Sequence, residues 1–397
     1  MDSLMLCTQP VRVARSSLAF SAILGDGSVV PWGVDGTIAE SVKEIQSNVF
    51  AFAAILTDGF VATWGPPRYG GDSRAVQEQL HRVTHIQATR AAFAAILSDR
   101  SVVAWGDPAT GGDSSAAQQQ LRNVQEIQAN SVAYAAILGD GSVVTWGHDL
   151  SGGDSRAVQH QLNSVKQIQA SDHAFAAVLA DGCVVAWGAA KSGGDSSAVQ
   201  EQLKDVQKIQ ASSAAFAAIR SDGSVERLKE VHAIQSNASA FAAILADGSV
   251  VSWGDARHGG DSSAFQEKLK MVHCIQASKR AFAAVLADGS VVSWGDPGAG
   301  GDSSAVQNVL RNVQAIQAND SAFAAILGDG SVVTWGMALA SDSSTVQEKL
   351  KKVQAIQATR TAFAAIGADE SISLWGAFLQ GSGGFIAGER CACSHVT

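Results

Sequence analysis

The stretch AFAAVLADGSVVSWG, Ala281–Gly295, reads as one β-hairpin. Alternate side chains of a strand take opposite faces, so Phe282, Ala284 and Leu286 share one face and Ala283 and Val285 the other. Both faces are apolar, the pattern of a strand buried on both sides. Asp288-Gly289 predicts a two-residue turn of type I′, whose two central positions need positive φ. Ser290–Trp294 returns as the next strand, with Val292 and Trp294 on one face.

Near-copies of this hairpin fill the chain. Trp64, Trp105, Trp146 and Trp187 are each 41 residues apart, as are Trp253, Trp294 and Trp335, and Trp375 follows after 40. The turn aspartates Asp26, Asp58, Asp99, Asp140, Asp181, Asp222, Asp247, Asp288, Asp329 and Asp369 mark ten units. Eight of the ten carry Asp-Gly; Asp99-Arg100 and Asp369-Glu370 do not, so those two turns are expected to be costlier or differently shaped. A full unit adds a short first strand such as Val313–Ala318, a Gly-rich loop, and a polar segment such as Gly260–Lys270. In that segment Ser263 with Gln266 fits a capping box, and Phe265, Leu269 and Val272 fall at i, i+4 and i+7, which predicts a helix of about two turns resting on the sheet.

Two units are damaged. Asp26 to Asp58 is nine residues short of the period, and Asp222 to Asp247 is sixteen short. The expected organisation is an N-terminal tail at 1–9, a repeat array at 10–377 with truncated units near 33–41 and 224–230, and a Gly-rich C-terminal tail at 378–397. A three-stranded unit of this length cannot bury both faces alone, so neighbours must stack. Strand-rich units at this period predict an all-β propeller of three-to-four-stranded blades with short connecting helices; the alternative is an open superhelical array of the same units.

Composition excludes several classes. The 397 residues are 46% hydrophobic and 16% charged with a net charge of −9, which is a globular composition and lacks the basic footprint of a nucleic-acid binder. No apolar run reaches membrane-spanning length. The first ten residues, MDSLMLCTQP, carry an acid where a signal peptide needs positive charge. Five scattered cysteines argue against a disulfide framework and for a reducing, intracellular setting, with the cytoplasm as the expected compartment.

The order Trp294-Gly295, then Gly300-Gly301-Asp302, with Ala287-Asp288-Gly289 before Ser290-Val291, resembles the regulator of chromosome condensation repeat family. The resemblance covers roughly residues 11–377 and recurs in every full unit. It implies a propeller, seven-bladed in that family. It also implies regulatory roles: family members include a small-GTPase nucleotide-exchange factor, and related blades occur in ubiquitin ligases. The chain departs from the family in having Ala281 where a His is common, in having Ala264-Phe265 where a Pro is usual, and in its ten units.

The recurring polar motifs read as structure. Ile-Gln closes the first strand in nine units, as at Ile86-Gln87 and Ile316-Gln317, and a Gln with two donors and two acceptor lone pairs suits a bridge between blades. Gly-Gly-Asp, as at Gly259-Gly260-Asp261, offers too few oxygens for calcium and reads as a turn plus N-cap. The tail Cys391-Ala392-Cys393-Ser394-His395 lacks zinc-site spacing. No catalytic residue, metal site or cofactor is expected.

Variation among the copies is confined to two windows. One lies between the first strand and the hairpin (Thr89-Arg90, Ser131-Val132, Asp172-His173, Lys279-Arg280, Asp320-Ser321, Thr359-Arg360). The other follows Trp-Gly, as at Pro66–Tyr69, His148–Leu150 and Asp255–His258. In an antiparallel blade both windows fall on one rim and the Asp-Gly turns on the other. A fixed scaffold with one varied loop face is how repeat proteins build binding surfaces. The expected function is therefore a non-enzymatic scaffold that binds a protein partner, neither nucleic acid nor membrane, with Arg68, Tyr69, Arg90, Arg257, His258, Lys279, Arg280 and Arg360 as anchors. The alternative is a regulatory subunit such as an exchange factor or the substrate-recruiting part of a ubiquitin ligase.

Overall fold

Alanine lets these sheets lie close together. In the second strand of most full units the pattern is Ala-Phe-Ala-Ala-Ile/Val-Leu, with Tyr134 for the Phe in one and Gly367 for the Leu in another, and in Ala281–Leu286 every residue before the last is buried. The small face of one sheet then receives the large face of the next. Ala281, Ala283, Val285 and Val291 of one sheet form a single cluster with Ile316, Phe323 and Trp335 of its successor. The same cluster recurs one unit earlier, between Ala240, Ala242 and Ile244 and Ile275, Phe282 and Trp294. Full burial of one such side chain contributes about 1.5–3 kcal/mol, and none of it is available to an isolated unit.

The computed structural model describes residues 42–225, 228–369 and 371–377, together with the backbone of strands at 12–15, 20–23 and 29–32. It contains ten antiparallel sheets, nine of three strands and one of two. We number them blades 1 to 10 in chain order. Blade 8 is Val272–Ala277, Ala281–Leu286 and Val291–Gly295. Blade 6 has only Val206–Ala211 and Phe216–Arg220. No sheet closes on itself. Each first strand adjoins the first strand of the next blade, and that of blade 10 adjoins that of blade 1, so the succession returns to its start as a propeller. The family resemblance implied seven blades; all ten sheets lie in this one succession.

Within a blade, Phe and Trp of adjacent strands are directly opposite, as in Phe282↔Trp294. Their rings stack with centroids 5.3 Å apart. The next contact is between blades and explains the Gly-Gly loop. Trp294 Nε1 donates to the Gly259 carbonyl of blade 7 at 3.0 Å, and Trp105, Trp146, Trp187 and Trp335 repeat this bond to Gly70, Gly111, Gly152 and Gly300. Gly300 has φ +90°, and a Cβ there would lie 2.5 Å from Phe323 Cδ2. The pair Gly300-Gly301 is thus a socket for the next blade's Phe–Trp stack as well as a turn.

Two local expectations are corrected. The hairpin turn is a three-residue loop: Gly289 N–H donates to Leu286 O and Leu286 N–H to Ser290 O, both at 2.9 Å. Only Gly289 of its residues has positive φ, +74°, which is a type I turn followed by a left-handed residue rather than type I′. Asp288 instead accepts from Ser290 N–H at 2.9 Å and from its hydroxyl at 2.6 Å. Most connecting segments are shorter than two helical turns: Ser263–Phe265 is a single 3-10 turn, whereas Ser197–Gln202 runs for two. Gln266 does not reach back as a capping box. Its amide bonds Ser262 Oγ and the Val250 carbonyl, which covers the outer edge of the third strand.

Candidate functional site

Each varied window begins where the first strand ends, and the first residue there is Asn, Ser or Thr in every described blade: Asn48, Thr89, Asn130, Ser171, Ser212, Asn237, Ser278, Asn319 and Thr359. These residues are buried. Their side-chain oxygens accept from an N–H two or three residues on, as Asn130 Oδ1 does from Ala133 and Asn319 Oδ1 from Ser321, both at 2.8 Å. In six blades the donor reaches the turn of the second window, from Asn48, Thr89, Asn130, Ser171, Asn237 and Ser278. Asn48, Asn130 and Asn237 donate to the carbonyls of Tyr69, Ser151 and His258, each at 2.6 Å. Ser278 Oγ donates to Ala299 O at 2.8 Å. In these six units the two windows are therefore bonded to each other on one rim. On the far rim, each turn bonds the start of the next blade, as Val313 N–H does to Gly289 O at 2.9 Å.

The backbone of the first windows also forms a belt from blade to blade. Arg90 N–H donates to Ser131 O at 2.8 Å, Ser131 to Asp172 at 3.1 Å and Asp172 to Ser213 at 3.0 Å. Farther round, Ala238 donates to Lys279 and Lys279 to Asp320 at 3.2 Å, and Asp320 to Arg360 at 3.0 Å. The belt encloses a polar depression of about 990 Å³, to which nine blades contribute these window residues. Arg90, Lys279 and Arg360 line it, with the carboxylates Asp172 and Asp320.

The eight anchor residues thus fall in two groups. Arg68, Tyr69, Arg257, His258 and Arg280 do not line the depression. The first four lie on the 3-10 turns outside it. Arg68 lies over the Tyr69 ring at 4.8 Å, and Tyr69 packs on Phe50 at 4.6 Å. Three guanidiniums already have carboxylate partners: Arg257 with Asp255 and Arg280 with Asp296 at 3.0 Å, and Arg360 with Asp320 at 3.1 Å. The hydrogen bond from Arg257, with His258 alongside, holds the Asp255 carboxyl down to about 2. Exposed pairs of this kind contribute little stability. Among the described residues Arg90 and Lys279 have no ion pair, and both are exposed.

Other polar motifs resolve as follows. The hydrogen bonds of the strand-closing glutamines run within the strand, from Gln46 to Glu44 at 3.0 Å and from Gln128 to Glu126 at 2.6 Å, so these two do not bridge blades. Ser151 Oγ lies 3.3 Å from Nδ1 of both His148 and His173. Neither ring has a carboxylate bonded to it among the described residues, so the third member of a triad is missing there. No cluster of three metal-ligating side chains occurs among the described residues, and Cys391, Cys393 and His395 lie outside them. No described helix is long and apolar enough to cross a membrane.

No family model matches the chain, and no curated protein matches it. Among solved structures it is similar to the computationally designed protein Ika8, at 15% identity over 84% of this chain and 98% of that one, with a TM-score of 0.34. It is similar to yeast RCC1 (Prp20), crystallised bound to Kap60, at 13% identity over 62% of this chain and 70% of that one, TM-score 0.38. The CRINKLY WD40 ectodomain of the Arabidopsis thaliana receptor kinase ACR4 is similar at 14% identity over 72% of this chain and 92% of that one, TM-score 0.34. RCC1 chains are thus among the neighbours, and at these scores the likeness carries no argument about activity.

Sequence reasoning missed the Asn/Ser/Thr position. Thr89 and Thr359 belong to a varied window by sequence, yet they are 3% and 5% exposed and their hydroxyls bond backbone groups. The available signal was the restriction of that position to three residue types able to accept from the backbone.

Proposed function

We propose that the chain is a non-enzymatic repeat scaffold that binds a protein partner through the rim around the central depression. The observation that carries this reading is the pairing of the two varied windows by side-chain hydrogen bonds on one rim, above a core that is nearly the same in every full unit. Such a rim varies without disturbing the blades, because its bonds use backbone carbonyls and one restricted polar position. Arg68 on Tyr69, and the unpaired Arg90 and Lys279, are the side chains best suited to anchor a partner. The test is affinity capture with the full chain and two double variants, Arg68→Ala/Tyr69→Ala and Lys279→Ala/Arg280→Ala. At least one variant loses partners that the parent retains. Identical partner sets for all three chains would retire the proposal.

A further inference from the structure

Blade 6 lacks its third strand. Asp222 to Asp247 spans sixteen residues fewer than the period, and after Ser224-Val225 the chain turns back through a bridge between Val225 and Leu228. Among the described residues no strand pairs with the outer side of Phe216–Arg220. The orientation of that edge follows from its bonds. Ser212 N–H donates to Ala215 O at 2.8 Å, so the groups of Ala215 face the first strand and those of Phe216 and Ala218, one residue out of phase, face away. Arg220 N–H, in phase with them, bonds outward to Ser224 O at 2.9 Å. Phe216 and Ala218 thus present a ladder of open N–H and C=O groups.

The missing strand leaves a shaped vacancy. In other blades the position opposite Phe is Trp, stacked on it, with its indole donating to the preceding Gly carbonyl. In blade 6 the Gly socket is present: a Cβ on Gly193 would lie 2.7 Å from Phe216 Cδ2. No indole reaches Gly193 O among the described residues. Phe216 is half-buried, whereas Phe175, Phe282 and Phe323 are fully buried. Trp253 of blade 7 is half-exposed as well, since the loop that would cover it is absent.

We infer that this edge is a second binding site, for an extended segment of a partner protein that adds as the third strand of blade 6. Ser224 and Val225 already hold the places of Ser290 and Val291, so the sister blades define the rest: one β-branched residue, one variable residue, then Trp-Gly, antiparallel to Phe216–Ala218. Main-chain bonds to Phe216 and Ala218 supply the pairing, and the indole, between Phe216 and Gly193 O, supplies selectivity.

The test uses the full chain and an end-blocked peptide of its own residues Val292–Asp296, VSWGD, in titration calorimetry. One-to-one saturable binding is expected. Replacing the peptide's Trp by Ala weakens it at least about tenfold, because the aromatic contact and its burial are lost together. Methylating the Trp amide nitrogen, which faces Phe216, weakens it similarly, while methylating the preceding Ser amide, which faces outward, does not. A chain with the sixteen missing residues restored does not bind. Absence of saturation, indifference to the site of methylation, or equal binding by the restored chain would each overturn the inference. So would sedimentation showing that the unmodified chain closes this edge against a second copy of itself.

Discussion

Inserting one Gly between Ala340 and Ser341 should stabilise the junction of blades 9 and 10. This loop, Met337–Ser341, is one residue shorter than its counterpart Asp296–Gly301, and the residue lost corresponds to Gly300. In its place Ala338–Ser341 forms a four-residue α-helix, with Ser341 N–H bonded to Met337 O and Asp342 N–H to Ala338 O. The carbonyls that other blades offer from this loop are then misplaced. Two buried donors have no partner as a result, Trp375 Nε1 and Asn319 Nδ2, whose equivalents elsewhere bond Gly300 O and the Ser151 carbonyl. An unsatisfied buried donor costs about 1–3 kcal/mol, so two carry roughly 2–6 kcal/mol. Ordering one more residue costs about 1–2 kcal/mol. A net gain of about 1–3 kcal/mol follows, since repair recovers only part of each penalty. Native-state hydrogen exchange on peptides from residues 322–376 reads it directly, with protection rising about tenfold for each 1.4 kcal/mol. A paired comparison isolates the indole bond. Trp335→Phe removes a donor and orphans Gly300 O; Trp375→Phe removes a donor that has no partner. Trp335→Phe should therefore cost about 1–3 kcal/mol more than Trp375→Phe. Equal costs, or unchanged protection after the insertion, would refute the reasoning.

Two further predictions concern the turns. Arg100 stands at φ +67° where eight of the ten turns have Gly, so Arg100→Gly should stabilise blade 3 by about 0.5–1 kcal/mol, read as an upward shift in the midpoint of urea unfolding. The carboxyls of Asp140, Asp247, Asp288 and Asp329 are held below their ordinary range, first by the hydroxyl of the Ser two residues on and then by its backbone N–H. A depressed folded-state pKa adds stability above the unfolded value that is lost as pH falls through the folded one. The urea midpoint should therefore hold from about pH 7 to 5 and fall from about pH 4 downward, and Ser→Ala at 142, 249, 290 and 331 should flatten that fall.

The architecture was legible because the information is local and repeated. Alternating Ala and Phe/Ile in Ala281–Leu286 specifies a strand buried on both faces, and the Trp period specifies the stacking unit. The turn type was not legible from Asp288-Gly289 alone. Ala287 belongs to the loop, and only the bond from Gly289 to Leu286 reveals it. The helix expected at Gly260–Lys270 failed for a related reason: Gln266 satisfies Val250 O on the outer strand, a partner sixteen residues away. A capping-box reading considers only the nearest turn.

The interlock of the blades was illegible in any single copy, because the Trp donor and its Gly acceptor are 35 residues apart. Once known, it turns each sequence irregularity into a statement about one seam. Trp64 follows a unit short by nine residues and has an unpartnered indole; Trp375 follows the loop that lost a Gly and has another. Trp253 follows the unit short by sixteen and is left half-exposed. Intact copies therefore describe the scaffold, whereas defective copies show where it is open. The rim carries its variation at no cost to this interlock, since its ties use backbone carbonyls. The edge of blade 6 differs in kind, because there a strand, a Trp and a loop are absent together while the Gly193 socket that would receive them remains. A chain that had merely drifted would be expected to lose that socket along with the strand that fills it.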